Sequence, residues 1–231
     1  MKPIGVIGGI GPESTIDYYR AMIAAYRERQ PDGSYPAIVI TSVDASAMLG
    51  ALMKGDFDTV TNMMVLELER LERAGAGVAL LAANSPHIVF GEVQRRSPLP
   101  LVSIVEATAY EAVRLRKKRL GLFGTRYTMQ GHFYQDVFAL RGMAIVVPGE
   151  EQQAYIHDKY MNELVQGVLR PETRERLLAI VAEMKAADGI DAVILGGTEL
   201  PLILRDPTAS DLPLLDTTVI HARAIVARAM A

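Results

Sequence analysis

Lys2-Pro-Ile-Gly-Val-Ile-Gly-Gly9 and Lys118-Arg-Leu-Gly-Leu-Phe-Gly-Thr125 are near copies that begin 116 residues apart, at positions 2 and 118. A second pair, Leu80-Leu-Ala-Ala-Asn-Ser85 and Ile194-Leu-Gly-Gly-Thr-Glu199, begins 114 residues apart, at positions 80 and 194. Either match alone would be a common strand-to-glycine coincidence. Two pairs at nearly one offset point to an internal duplication. The halves predicted from it are 1–100 and 101–207, with 208–231 packing back on the first half.

Short apolar runs predict strands over Ile4–Ile7, Ala37–Ser42, Val78–Ala82, Leu101–Ile104, Arg119–Phe123, Ala144–Val147, Ala192–Leu195 and Leu212–Leu215. Helical spacing predicts helices over Thr15–Arg29, Phe57–Ala74, Thr108–Arg116, Tyr134–Arg141, Gln153–Val168 and Pro171–Ala187. The strands are apolar throughout rather than alternating, as parallel strands covered on both faces are. The β-α-β alternation then predicts an α/β fold: two pseudo-symmetric, doubly wound parallel-sheet lobes, with a small-molecule site in the crevice between them.

Composition bounds the function. The chain has 231 residues, a net charge of −3 and no cysteine. Disulfides, thiolate metal sites and cysteine nucleophiles are therefore excluded. A nucleic-acid partner is not expected, because the basic residues form no face. The one basic run, Arg114, Arg116, Lys117, Lys118 and Arg119, reads as a helix end, where cations suit the dipole. No apolar run approaches the ~18 residues that would span a membrane. The opening MKPIGVIGGIGPEST has too short an apolar part for a signal peptide, so a cytoplasmic location is expected. His132, His157 and His221 lack metal-ligand spacing and read as structural, and no metal is expected. The eleven methionines read as core filler.

Ligands of open parallel sheets bind beyond the carboxyl ends of the strands. Four such ends carry small or polar residues here. Gly8-Gly9-Ile10-Gly11-Pro12 allows close backbone approach and opens a helix, which suits an anion. It matches neither GxGxxG nor a Walker A sequence, so a dinucleotide is not expected. Ala83-Asn84-Ser85-Pro86-His87 joins an amide, a hydroxyl and an imidazole, with Pro86 in a first helical turn. Thr125-Arg126-Tyr127-Thr128 and Gly197-Thr198-Glu199 add hydroxyls at helix starts. Gly8, Gly9, Asn84, Ser85, Thr125 and Thr198 are the candidate binding residues. Asp44, His87, Glu199 and Tyr127 are candidate proton carriers, each with a structural alternative: a cap for Asp44, packing for His87, a dipole partner for Glu199.

These four strand ends, in this order, resemble the aspartate/glutamate racemase family. The motifs are Ile7-Gly-Gly-Ile-Gly-Pro-Glu-Ser-Thr15, Asn84-Ser-Pro-His87, Leu122-Phe-Gly-Thr-Arg-Tyr-Thr-Met129, Ile194-Leu-Gly-Gly-Thr-Glu-Leu-Pro201 and Asp216-Thr-Thr218 with His221. The resemblance implies a two-lobed, often dimeric isomerase of small amino acids that needs no cofactor. It also implies two thiols on opposite sides of the substrate α-carbon, one before the Asn of the first motif and one before the Thr-Glu of the second. Those positions are Ala83 and Gly197, so both thiols are missing. The usual two-cysteine racemisation cannot run, while Asn84, Ser85, Thr125 and Thr198 occupy the family's carboxylate-binding positions.

The expectation is therefore a racemase-type isomerase of a small amino acid or related carboxylate, working by non-cysteine proton transfer. Two alternatives stay open: a non-catalytic carboxylate-binding relative, and a decarboxylase or cis-trans isomerase using the same site. The family holds a second substrate carboxylate with cationic side chains. The loop Ala45–Ala51 offers none before Lys54, and Gln166 stands where a lysine would suit an acidic substrate. A neutral or apolar substrate side chain is expected, contacted by Met48 and Leu49.

Overall fold

In the computed structural model, residues 1–206 and 210–231 are described, and the half boundary predicted between 207 and 208 lies outside them. The elements run β1 (Ile4–Gly8), α1 (Pro12–Arg27), β2 (Ile38–Ser42), α2 (Ala45–Met53), α3 (Phe57–Arg73) and β3 (Val78–Leu81). A 3-10 turn (Ser85–Val89), α4 (Phe90–Arg96), α5 (Ile104–Arg114), β4 (Arg119–Gly124), α6 (Arg126–Gln130), α7 (Phe133–Ala139) and β5 (Ala144–Val146) follow. The chain continues through α8 (Glu150–Asn162), a second 3-10 turn (Leu164–Gln166), α9 (Pro171–Asp188), β6 (Ala192–Gly196), α10 (Leu200–Leu204), β7 (Leu214–Asp216) and α11 (Thr217–Met230).

The chain divides into two compact units. Unit 1 is Met1–Ile104 with Thr218–Ala231, and unit 2 is Val105–Thr217. Unit 1 holds a three-stranded sheet in the order β2-β1-β3, and unit 2 a four-stranded sheet in the order β5-β4-β6-β7. Every pairing is parallel. The matched sequences fall on matched strands: β1 and β4 are each flanked by the strand that follows and the strand after that. The strands β1, β3 and β6 are buried at every residue, which is why they read as apolar without alternation.

Two expectations change. Leu101–Ile104 is not a strand: Leu101 makes only an isolated bridge to Ala79, and α5 begins at Ile104. Pro98 and Pro100 just before it lack the N–H groups that a longer ladder needs. β7 pairs with β6, so the strand predicted over Leu212–Leu215 belongs to unit 2 rather than to the first half. What returns to unit 1 is α11, whose Ala222, Ile225, Val226 and Ala229 pack in one core with Ile4, Val6, Tyr18 and Leu80. The Lys2 N–H donates to the Ala229 carbonyl at 2.9 Å and ties this last helix beside the first strand.

The repeated glycines close both central strands for one steric reason. A Cβ on Gly8 would lie 2.5 Å from Thr15 Cγ2, and one on Gly124 would lie 2.9 Å from Thr128 Cβ. In each unit the first helix after the central strand sits directly on the strand end. Gly9 is further constrained: its φ is +82°, and a Cβ there would lie 2.6 Å from the Val43 carbonyl oxygen. Backbone cannot retreat as a flexible side chain can. Gly9→Ala is expected to lose about 1–3 kcal/mol of unfolding free energy in urea titration. A loss under about 0.5 kcal/mol would mean that this turn is not held as tightly as the geometry requires.

Candidate functional site

In unit 1 the ends of three strands meet. The Val43 N–H donates to the Gly8 carbonyl at 3.1 Å, and the Ala82 N–H donates to the Ile7 carbonyl at 2.9 Å. Gly8, Gly9 and the segment Ala83–Ser85 are thus brought together, and Ala83, Asn84 and Ser85 are all buried. The Gly9 N–H donates to Thr15 Oγ1 at 3.0 Å, so this hydroxyl serves the turn. Asp44 is exposed and caps α2, accepting from the Ser46 N–H at 2.8 Å and the Ala47 N–H at 3.4 Å. An Asp that satisfies two orphan helix donors is a stabilising cap, the structural alternative the sequence left open.

His87 also has a structural occupation. Its Nε2 accepts from the Ile104 N–H at 3.2 Å, which fixes Nδ1 as the donor to the Ala83 carbonyl at 2.9 Å. The ring stacks on Phe90 with centroids 4.8 Å apart. It therefore joins Ala83 to the start of α5. Behind it lies His221. There Nε2 donates to the Val102 carbonyl at 2.8 Å, so Nδ1 accepts from the Tyr18 hydroxyl at 2.9 Å. Both rings are buried, and their nitrogens are committed to neutral-ring hydrogen bonds. Burial, then the neighbouring His221, pushes His87 down to about 3. Burial pushes His221 down to about 4, against the opposing effect of the Val102 carbonyl.

Unit 2 repeats the arrangement with different chemistry. Thr125 ends β4 and caps α6, its hydroxyl accepting from the Thr128 N–H at 3.4 Å. The Gly196 carbonyl lies 2.6 Å from where a Gly124 Cβ would stand, so the ends of β4 and β6 are neighbours. Thr198 and Glu199 follow β6 and are buried. Thr198 Oγ1 donates to Glu199 Oε2 at 3.0 Å, and the Tyr160 hydroxyl of α8 donates to the same carboxylate oxygen. Tyr127 is half-buried on α6, and His157 Nδ1 accepts from the Arg126 N–H at 3.3 Å.

Sequence reasoning missed Tyr160. The one available signal was Gly197 itself: a residue with no side chain, in a packed strand end, requires bulk from elsewhere. The residues expected to touch a substrate side chain are dispersed. Met48 is fully buried in unit 1 and Leu49 half-buried, while Lys54 and, in unit 2, Gln166 are exposed. Among the described residues no group of three or more His, Asp or Glu is placed to hold a metal ion. No helix among them is long and apolar enough to cross a membrane.

The histidine pair makes stability depend on pH. An unfolded histidine titrates near ~6.5, well above both folded values, so unfolding takes up protons on the acid side. The stability contributed by the neutral rings is fully present above about pH 6.5 and is lost as pH falls towards about 4. Each ring contributes a slope of at most about 1.4 kcal/mol per pH unit in that window. Urea unfolding at a series of pH values should give a slope that roughly halves in His221→Gln and largely disappears in the double variant with His87→Asn. An unchanged slope in the double variant would contradict this assignment.

The matches to known proteins cover the same ground. The family model described as Asp/Glu/hydantoin racemase matches residues 7–225. The broad specificity amino-acid racemase RacX of Bacillus subtilis is 26% identical over 237 aligned residues, covering 99% of this chain and 98% of that one. The crystal structure of an aspartate racemase homologue from Pyrococcus horikoshii superposes with a TM-score of 0.87 at 33% identity, covering 100% of both chains. A Picrophilus torridus aspartate racemase structure is more distant in sequence, at 21% identity. It keeps the fold, with a TM-score of 0.79 over 100% of this chain and 95% of its own.

Proposed function

This chain belongs to the Asp/Glu/hydantoin racemase family, and we propose that it is an amino-acid racemase-type isomerase that moves the substrate's α-proton without thiols and without a cofactor. The observation that carries this reading is the survival of the binding set where the thiols are gone. Asn84 and Ser85 in unit 1, and Thr125 and Thr198 in unit 2, stay buried at the carboxyl ends of β3, β4 and β6. A buried amide and buried hydroxyls at strand ends are suited to an α-carboxylate. Removing the α-proton leaves charge that spreads into that carboxylate, so a donor that reaches it favours the carbanion more than the ground state.

Proton transfer in this reading does not run through His87. A ring donating to the Ala83 carbonyl, accepting from the Ile104 N–H and pushed down to about 3 is a weak base with both nitrogens engaged. Asp44 is likewise left to cap α2. The substrate is a small amino acid with a neutral side chain, since Lys54 and Gln166 are exposed and bring no buried cation to a second carboxylate. The broad specificity in the name of the Bacillus subtilis relative is compatible with such a substrate. The chain works as a homodimer, as the family resemblance implies.

Chiral chromatography of D- and L-alanine, methionine, leucine, aspartate and glutamate after incubation tests the reaction. Inversion of a neutral member is expected, with kcat/KM falling about 10²-fold in Asn84→Ala. Neutral amino acids should also raise the melting temperature more than aspartate or glutamate does. A larger shift with the two dicarboxylates would overturn the substrate assignment. Stabilisation by a ligand that is never inverted would favour a binding protein on this scaffold.

A further inference from the structure

Gly197 has no side chain, yet its side-chain space is filled. A Cβ built there would run into Cε2 of Tyr160, and it would lie 3.0 Å from Cζ and 3.1 Å from Cδ2 of the same ring. Where the resemblance implies a thiol, this chain places the ring edge of Tyr160, reaching across from α8 with its hydroxyl on Glu199. A cysteine could not be restored at 197 unless Tyr160 moved. The two residues are complementary in size, and both belong to unit 2.

Filling space would not require a hydroxyl. Phenylalanine has the same ring and no polar atom to satisfy in a buried place. Tyr160 is only 7% exposed, and its hydroxyl is spent on the Glu199 carboxylate, which is 1% exposed. Thr198 donates to the same oxygen at 3.0 Å. Burial, followed by the Glu199 charge, pushes the phenol well above the ordinary tyrosine value, so near neutrality it keeps its proton and is the donor of the pair. A phenol whose ring packs against Gly197 and whose hydroxyl is bound to a carboxylate has the two parts of a proton relay.

Resting on the isomerase reading above, we propose that Tyr160 is the group that exchanges a proton with the substrate α-carbon in unit 2, with Glu199 as the carboxylate that drives it. As the α-C–H bond breaks, its proton passes to Tyr160 Oη and the phenol's own proton passes to Glu199 Oε2. The electron pair of the broken bond stays on the substrate, delocalised into its carboxylate. Return of both protons along the same path restores phenol and carboxylate, so the relay consumes nothing. Return from the same group to the same face of the substrate makes α-proton exchange outrun inversion.

Proton NMR in D₂O, following the α-proton of D- and L-alanine, methionine and leucine, tests this directly. Exchange faster than inversion is expected in the natural chain. Tyr160→Phe and Glu199→Gln should each lower exchange at least about 100-fold, with the melting temperature and its shift on adding amino acid retained in Tyr160→Phe. Wild-type exchange rates in Tyr160→Phe would overturn the proposal, as would a natural chain that exchanges none of the six. A variant with Ala83→Cys, Gly197→Cys and Tyr160→Ala then separates the two readings. If it inverts an amino acid that the natural chain leaves untouched, the isomerase scaffold stands and Tyr160 is only a plug. If it too is silent, the isomerase reading falls with the proposal.

Discussion

The close seating of a helix on the end of a parallel strand is the constraint on which the rest of this structure depends. At Gly8 and Gly124 there is no room for even one carbon beyond the backbone, because Thr15 and Thr128 occupy it. Small residues at those turns let the strand end, the helix start and the neighbouring strand ends share a tight space. That packing buries Asn84, Ser85, Thr125 and Thr198 at positions a carboxylate could use. It also makes any change in side-chain volume there felt by its neighbours. At Ala83 and Gly197, where the resemblance implies thiols, the neighbours must therefore fill the space.

The two units differ at these positions. In unit 1 Ala83 leaves a methyl, and its carbonyl is held by His87, whose ring is in turn fixed by the Ile104 N–H and backed by His221 and Tyr18. This is a stiff, neutral network with no readily moved proton near pH 7. In unit 2 Gly197 leaves only a hydrogen, and Tyr160 takes the vacated volume with a hydroxyl bound to a carboxylate. The two units share one order of strands about β1 and β4, while their side chains make one a support and the other a candidate proton relay.

Much of the fold was legible because its signals are local. Matched glycine-ended runs placed β1 with β4 and β3 with β6, and continuous apolar runs marked the inner strands. Leu101–Ile104 misled because four apolar or small residues in a row say nothing of pairing; the prolines before them limited the ladder to one bridge. β7 was read into the wrong half because strand order is a long-range property that no local pattern carries. The strand-end residues were legible as a set, but their occupations were not. Asp44 as a cap and His87 as a tether depend on which backbone groups stand nearby. Tyr160 was invisible for the same reason: it lies 37 residues before Gly197 in sequence and reaches it only through the packing of α8.

The most direct test of this account is a crystal structure of the chain with a neutral amino acid that raises its melting temperature. The account predicts the ligand α-carbon facing Tyr160 Oη at about 3–3.5 Å, the distance at which a proton can pass, with the phenol still bound to Glu199. An amino acid bound elsewhere, with the Tyr160 ring lying between it and Gly197 and its hydroxyl turned from the α-carbon, would contradict the account and leave Tyr160 as filler for a lost thiol.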